Sequence, residues 1–97
     1  MEIKKIIEGD KATLVLDTRL DTITAPDLEK EIQTVTSANS LVIDCSMLEY
    51  ISSAGLRVLL SAHKAFASKG GMTVTTVCDM VLDIFEVTGF KEILNLK

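Results

Sequence analysis

The run SLVIDC at 40–45 and the run MTVTTV at 72–77 bracket a single amphipathic segment that begins near Ser53, extends to about Ser68 and meets Gly70-Gly71. No other feature constrains the fold as tightly. Short apolar runs of this length read as buried strands, the first of a kind buried on both faces. Between them Leu56, Leu59, Leu60, His63, Phe66 and Ala67 recur at helical spacing and form one buried stripe. Two strands of one sheet joined through a helix run parallel and cross over right-handed.

A strand and a helix also precede this segment, without sequence repeat. ATLVLD at 12–17 reads as a strand, and DTITAPDLEKEIQTVTSAN follows it. Thr24 is placed to cap a helix, with Asp27 completing a capping-box spacing and Pro26 tolerated in the first turn. Leu28, Ile32 and Val35 recur at i, i+4 and i+7 along its apolar face. Right-handed crossovers then place the first and second helices on the same face of the sheet. Ahead of this lies IKKII at 3–7, joined through EGDK, where Gly9-Asp10 suits a two-residue hairpin turn and an antiparallel pair. At the far end Asp79 is placed to cap a short helix with Val81, Ile84 and Phe85. Gly89 ends it, and ILNL offers an edge strand. The order ββαβαβα predicts an α/β domain with a mixed sheet of four to five strands, the first hairpin antiparallel and the rest parallel, packed with about three helices.

A chain of 97 residues suits one monomeric domain spanning 1–97, and an apolar fraction of 47% favours folding over disorder. No apolar run approaches the ~20 residues needed to cross a bilayer, and no apolar leader core follows MEIKK. The expected location is the cytoplasm. A net charge of −4, with no basic run longer than Lys4-Lys5, argues against nucleic acid. Cys45 and Cys78 stand singly in apolar contexts, outside any C-x-x-C pair. They read as reduced, largely buried thiols rather than metal ligands, and no cofactor is implied.

The stretch YISSAGLRVLLSA at 50–62 carries the chemical question. Ser52 and Ser53 stand where a helix begins, as a cap, a nucleophile or an acceptor for a covalent group. The nucleophile fails. The sole histidine, His63, lies ten residues on, roughly 15 Å along the axis at 1.5 Å per residue. No G-x-S-x-G elbow and no phosphate-binding glycine loop occurs. Asp21 and Asp44 fall at strand ends, where α/β ligand crevices lie, though turn formation accounts for both. A cap and a modified serine remain, and they are compatible. If Ser53 caps the helix, the first-turn N–H groups and the dipole favour an added anion, and Gly55 keeps the turn small enough for access.

These residues also carry a resemblance. LVIDCSMLEYISSAGLRVLLSAHKAFASKGGMTVTTV resembles the central motif of STAS domains of the anti-sigma factor antagonist type, with Asp44, Tyr50, Ser53, Gly55 and Leu56 at the motif positions. RLDTITAPDLEKEI is similar to an upstream segment of the family through Leu20, Asp21, Ala25 and Leu28, and VLDIFEVTGFKEIL to its closing helix and strand. The resemblance implies a non-enzymatic partner switch. Unphosphorylated, such a protein binds a serine kinase that is also an anti-sigma factor; the kinase phosphorylates it and the complex breaks, and a PP2C-type phosphatase reverses the step. By register the acceptor is Ser53, with Ser52 as rival because many members carry Asp there. The expected partner surface comprises Asp21, Thr22, Thr24, Ser52, Ser53, Gly55, Leu56 and Arg57, with Leu56 and Arg57 exposed in the first turn. A STAS subunit of a larger stress-sensing or lipid-transport assembly, never phosphorylated, is the alternative.

Overall fold

The computed structural model describes residues 1–97. Strands β1 (Lys4–Glu8) and β2 (Lys11–Val15) pair antiparallel, in a register running from Lys4 opposite Val15 to Glu8 opposite Lys11. Gly9 makes the turn at φ +61°, a conformation glycine adopts without steric cost. The chain continues through β3 (Arg19–Leu20), α1 (Ala25–Thr34), β4 (Ser40–Asp44), β5 (Tyr50–Ile51), α2 (Ser53–Phe66), β6 (Gly71–Thr75), α3 (Asp79–Thr88) and a 3-10 turn at Phe90–Glu92 to β7 (Asn95–Leu96). The main sheet has the order β1-β2-β4-β6-β7 and is parallel from β2 onward, while β3 and β5 form a separate two-stranded parallel ribbon. The mixed α/β architecture and the antiparallel first hairpin match the sequence reading. The ribbon is new.

Helices α1 and α2 pack against each other, and one sheet face closes over a core of 23 residues. Ala12 and Leu14 of β2, Leu41 and Ile43 of β4, and Met72 and Val74 of β6 point into it. Phe66 and Phe85 are wholly buried, each stabilising by up to ~3 kcal/mol through area removed from water. The sequence reading of 40–45 as buried on both faces needs correction. Ser40, Val42 and Asp44 are only partly covered, because both helical crossovers lie on the opposite side.

Three helix details also differ from expectation. Val58 and Ala62 are buried on α2, whereas Leu60 and His63 are half-buried and Ala67 is exposed. The buried face is turned toward α1, where Val58 shares a groove with Ala25 and Pro26. Thr24 occupies the cap position of α1 but its side chain caps nothing, and the Asp27 carboxylate instead lies 2.7 Å from the Met1 amine. Cys78, not Asp79, occupies the cap position of α3, again without a side-chain cap, and Asp79 is the first residue of the helix.

Candidate functional site

The ribbon of β3 and β5 brings the two candidate loops together. Arg19 pairs with Tyr50 and Leu20 with Ile51, so the chain entering α1 runs beside the chain entering α2. Ser52 N–H donates to the Leu20 carbonyl at 2.9 Å, and Glu49 N–H donates to that of Thr18 at 2.7 Å. Gly55 completes the junction. A Cβ at this position would stand 2.8 Å from both Cγ and O of Leu20 and 2.9 Å from Cγ1 of Ile51. Its absence of side chain therefore serves an internal contact. Gly55, read from sequence as keeping the turn small for access to the hydroxyl, is buried.

The register of the cap separates the two serines. Ser52 is the N-cap, extended at φ −98° and ψ 175°, and its Oγ accepts from Gly55 N–H at a long 3.5 Å. Its carbonyl accepts the Leu56 N–H at 3.0 Å. Ser53, read from sequence as the cap or its neighbour, is the neighbour: the first helical residue, exposed to solvent. Of the two hydroxyls, only that of Ser52 enters a hydrogen bond within the chain. Arg57 is exposed one turn further on, but Leu56 is only 5% exposed and lies in the core. The expectation that Leu56 faces a partner is corrected: it belongs to the stripe that packs the helix down.

The loop into α1 is organised by Asp21. Its Oδ1 accepts the N–H groups of Ile23 and Thr24, each at 3.0 Å, and Thr24 Oγ1 in return accepts the Asp21 N–H at 2.8 Å. The Thr24 hydroxyl also reaches the Arg19 carbonyl at 3.0 Å. The Thr24 N–H holds the Asp21 carboxyl below its ordinary value, helped by Ile23 N–H, the Thr24 hydroxyl and Arg19, and opposed by desolvation. Asp21 and Thr24 thus hold the loop in shape. Thr22 is exposed and lines a groove with Ala54, Arg57 and Glu29, so this loop abuts the start of α2. Asp44 forms a turn of the same kind, accepting Ser46 N–H at 2.9 Å.

Sequence reasoning passed over the apolar residues at this end. Ile23 is 84% and Met80 63% exposed, and the Arg19 guanidinium sits 4.5 Å above the Tyr50 ring. The available signal was Ile23 itself, an isoleucine between two threonines with no periodic partner. The thiols differ from each other: Cys45 is buried but Cys78 is exposed, contrary to the expectation for both. Cys78 stands at the open end of β6, where the chain turns into α3, and its Sγ reaches the Leu48 carbonyl at 3.4 Å. No group of three or more His, Cys, Asp or Glu side chains is placed to hold a metal, and no helix is long and apolar enough to cross a membrane.

Comparison with known proteins fits this geometry. A family model described as "Mlab, STAS domain" matches residues 4–95. An anti-sigma-B factor antagonist of Listeria monocytogenes is 27% identical over 100 residues, covering 100% of this chain and 87% of the relative. An anti-sigma factor antagonist from Mycobacterium paratuberculosis superposes with a TM-score of 0.88 at 24% identity, over 98% of this chain and 83% of that one. The Bacillus cell fate determinant SpoIIAA in its phosphorylated form superposes with a TM-score of 0.75 at 12% identity, over 99% of this chain and 91% of that one.

Proposed function

The chain belongs to the STAS domain family, and on that premise we propose that it is an anti-sigma factor antagonist, a cytoplasmic, monomeric and non-enzymatic partner switch whose phosphoacceptor is Ser53. Unphosphorylated, it binds an anti-sigma factor that is also a serine kinase. The kinase moves the γ-phosphoryl group of ATP to Ser53: the Oγ–P bond forms as the bond to ADP breaks, and the hydroxyl proton passes to a base of the kinase. A PP2C-type phosphatase returns the serine by hydrolysis: water takes the phosphoryl group and inorganic phosphate leaves.

One observation carries this reading. Ser53 presents a free hydroxyl on the first turn of a rigid helix, while Ser52 spends its own as the cap. A phosphate there meets the positive end of the helix dipole, so the fold tolerates it. At an interface the same −1.5 to −2 charges must be desolvated or face partner carboxylates. A loss of ~3 kcal/mol of binding free energy lowers affinity by about two orders of magnitude. On this reading the partner meets Ser53 together with the neighbouring groove lined by Thr22 and Arg57. Asp21 and Thr24 hold the loop into α1, and Ser52 and Gly55 the start of α2.

The test is phosphosite mapping by mass spectrometry after incubation with ATP and lysate of the source cell, beside binding assays on variants. Phosphate is expected on Ser53. Ser53→Ala should bind the partner constitutively and Ser53→Asp poorly, both remaining folded. Phosphate on Ser52 with Ser53 unmodified overturns the assignment. The alternative reading is an unphosphorylated STAS subunit of a larger assembly. That reading is selected if no serine is modified and the partner stays bound with or without ATP.

A further inference from the structure

We propose that Arg57 is the intramolecular clamp for a phosphate on Ser53, so that phosphorylation both adds an anion and engages the one cation carried by the first turns of α2. The inference rests on the reading of Ser53 as acceptor and extends it to what the phosphate does once attached. Ser53 and Arg57 are four residues apart on α2. At 3.6 residues per turn they are offset by only about 40° around the axis, with Cβ atoms ~5–6 Å apart. An anion placed N-terminal to a cation at this spacing is the favoured orientation. Ser52, five residues from Arg57, lies outside the helix with extended backbone, off the i, i+4 spacing, and its hydroxyl is turned to Gly55 N–H.

Arg57 is free to take this role. It is exposed, and none of the ion pairs within the chain includes it. Glu29, the acidic residue that lines the groove with it, forms no ion pair with the guanidinium. A guanidinium fork matches two phosphate oxygens at once, which an ammonium cannot do. In the unmodified protein the same fork is left for a carboxylate of the partner. The phosphate competes for it from within the chain, at the raised effective concentration of a group on the same helix turn. The switch is then a transfer of one arginine from an intermolecular to an intramolecular anion.

The experiment uses full-length protein with phosphoserine genetically encoded at position 53, which requires no kinase. The second ionisation of the phosphate is followed by phosphorus NMR in the wild-type background and with Arg57→Gln and Arg57→Lys. An ordinary phosphoserine titrates near pH 6. The clamp predicts that Arg57→Gln raises this midpoint by roughly 0.3–0.8 pH unit and that Arg57→Lys raises it by less. The difference should shrink in ~1 M salt. With phosphoserine at position 52, Arg57→Gln should leave the midpoint unchanged. Coincident titrations of phosphoserine 53 with and without Arg57 overturn the clamp and leave Ser53 as acceptor. Kinase labelling that avoids Ser53 overturns the function reading, whatever the titration shows.

Discussion

Adding a single methyl group at Gly55 tests the junction between the two loops. In an exposed helix, Gly→Ala is stabilising by about 1 kcal/mol through propensity alone. Here the new Cβ would meet Leu20 Cγ and the Leu20 carbonyl oxygen at 2.8 Å, and Ile51 Cγ1 at 2.9 Å. Leu20 is fully buried and Ile51 is 2% exposed, so neither has room to retreat. Overpacking of this kind costs ~1–3 kcal/mol. Displacing the Leu20 carbonyl also weakens the bond it accepts from Ser52 N–H at 2.9 Å, worth ~1 kcal/mol. After the propensity gain is subtracted, Gly55→Ala should lose ~1–3 kcal/mol. For a chain of this size that is a fall in Tm of roughly 5–15 °C. Thermal and urea unfolding followed by circular dichroism measure it, with the exposed Ser61→Ala on the same helix as the propensity control, expected within ~0.5 kcal/mol of wild type. A Gly55→Ala protein as stable as wild type, or more so, would refute the close approach. The argument that Gly55 is there to join Leu20 to α2 would go with it.

Two further outcomes follow from the site chemistry. In native buffer a thiol reagent should label Cys78 rapidly and Cys45 only on unfolding, because burial, with Asp44 adding to it, pushes the Cys45 thiol up to about 12; two thiols reacting together in the folded protein would contradict this. The Asp21 carboxyl is held below its ordinary 3.8, so its contribution to stability is fully present above that value and is lost as pH falls from 3.8 through the lowered folded-state value. Urea midpoints at successive pH values should therefore fall less steeply in acid for Asp21→Asn than for wild type, and parallel acid limbs would show that the loop does not favour the charged form.

What could be read from the sequence was whatever local signals determine alone. Gly9-Asp10 specified its hairpin because positive φ is a property of one residue. The strand runs and helix stripes were visible because their periods of two and 3.6 persist over several residues. The details that failed are set by tertiary contacts. Ser52 and Ser53 are equally good caps in isolation, and the choice follows from the Leu20 carbonyl holding Ser52 N–H and from the approach of Gly55. Asp21 and Thr24 could each organise the turn into α1, and Asp21 accepts both N–H groups because β3 has already placed Arg19 and Leu20 beside β5. That ribbon pairs only two residues from each strand, too few to leave a periodic trace. Cys78 follows an apolar run, yet the run leaves the sheet at Thr75 and the thiol leaves the core with it.

The strands of the main sheet stand side by side in the order in which they occur in the chain, β1-β2-β4-β6-β7. No strand has to insert between two already paired, and each extends the border left by its predecessor. A polypeptide emerging from the ribosome can therefore lay down its sheet as it is made, with the hairpin as foundation and each helix carrying the chain back to the end of the sheet where the next parallel strand begins. Until the next strand arrives, the growing border presents unpaired backbone groups that invite a stranger's strand. The last addition, Asn95–Leu96, is two residues long. So short a selvedge gives a neighbouring chain little to hold, and the order of construction ends where further growth is least rewarded.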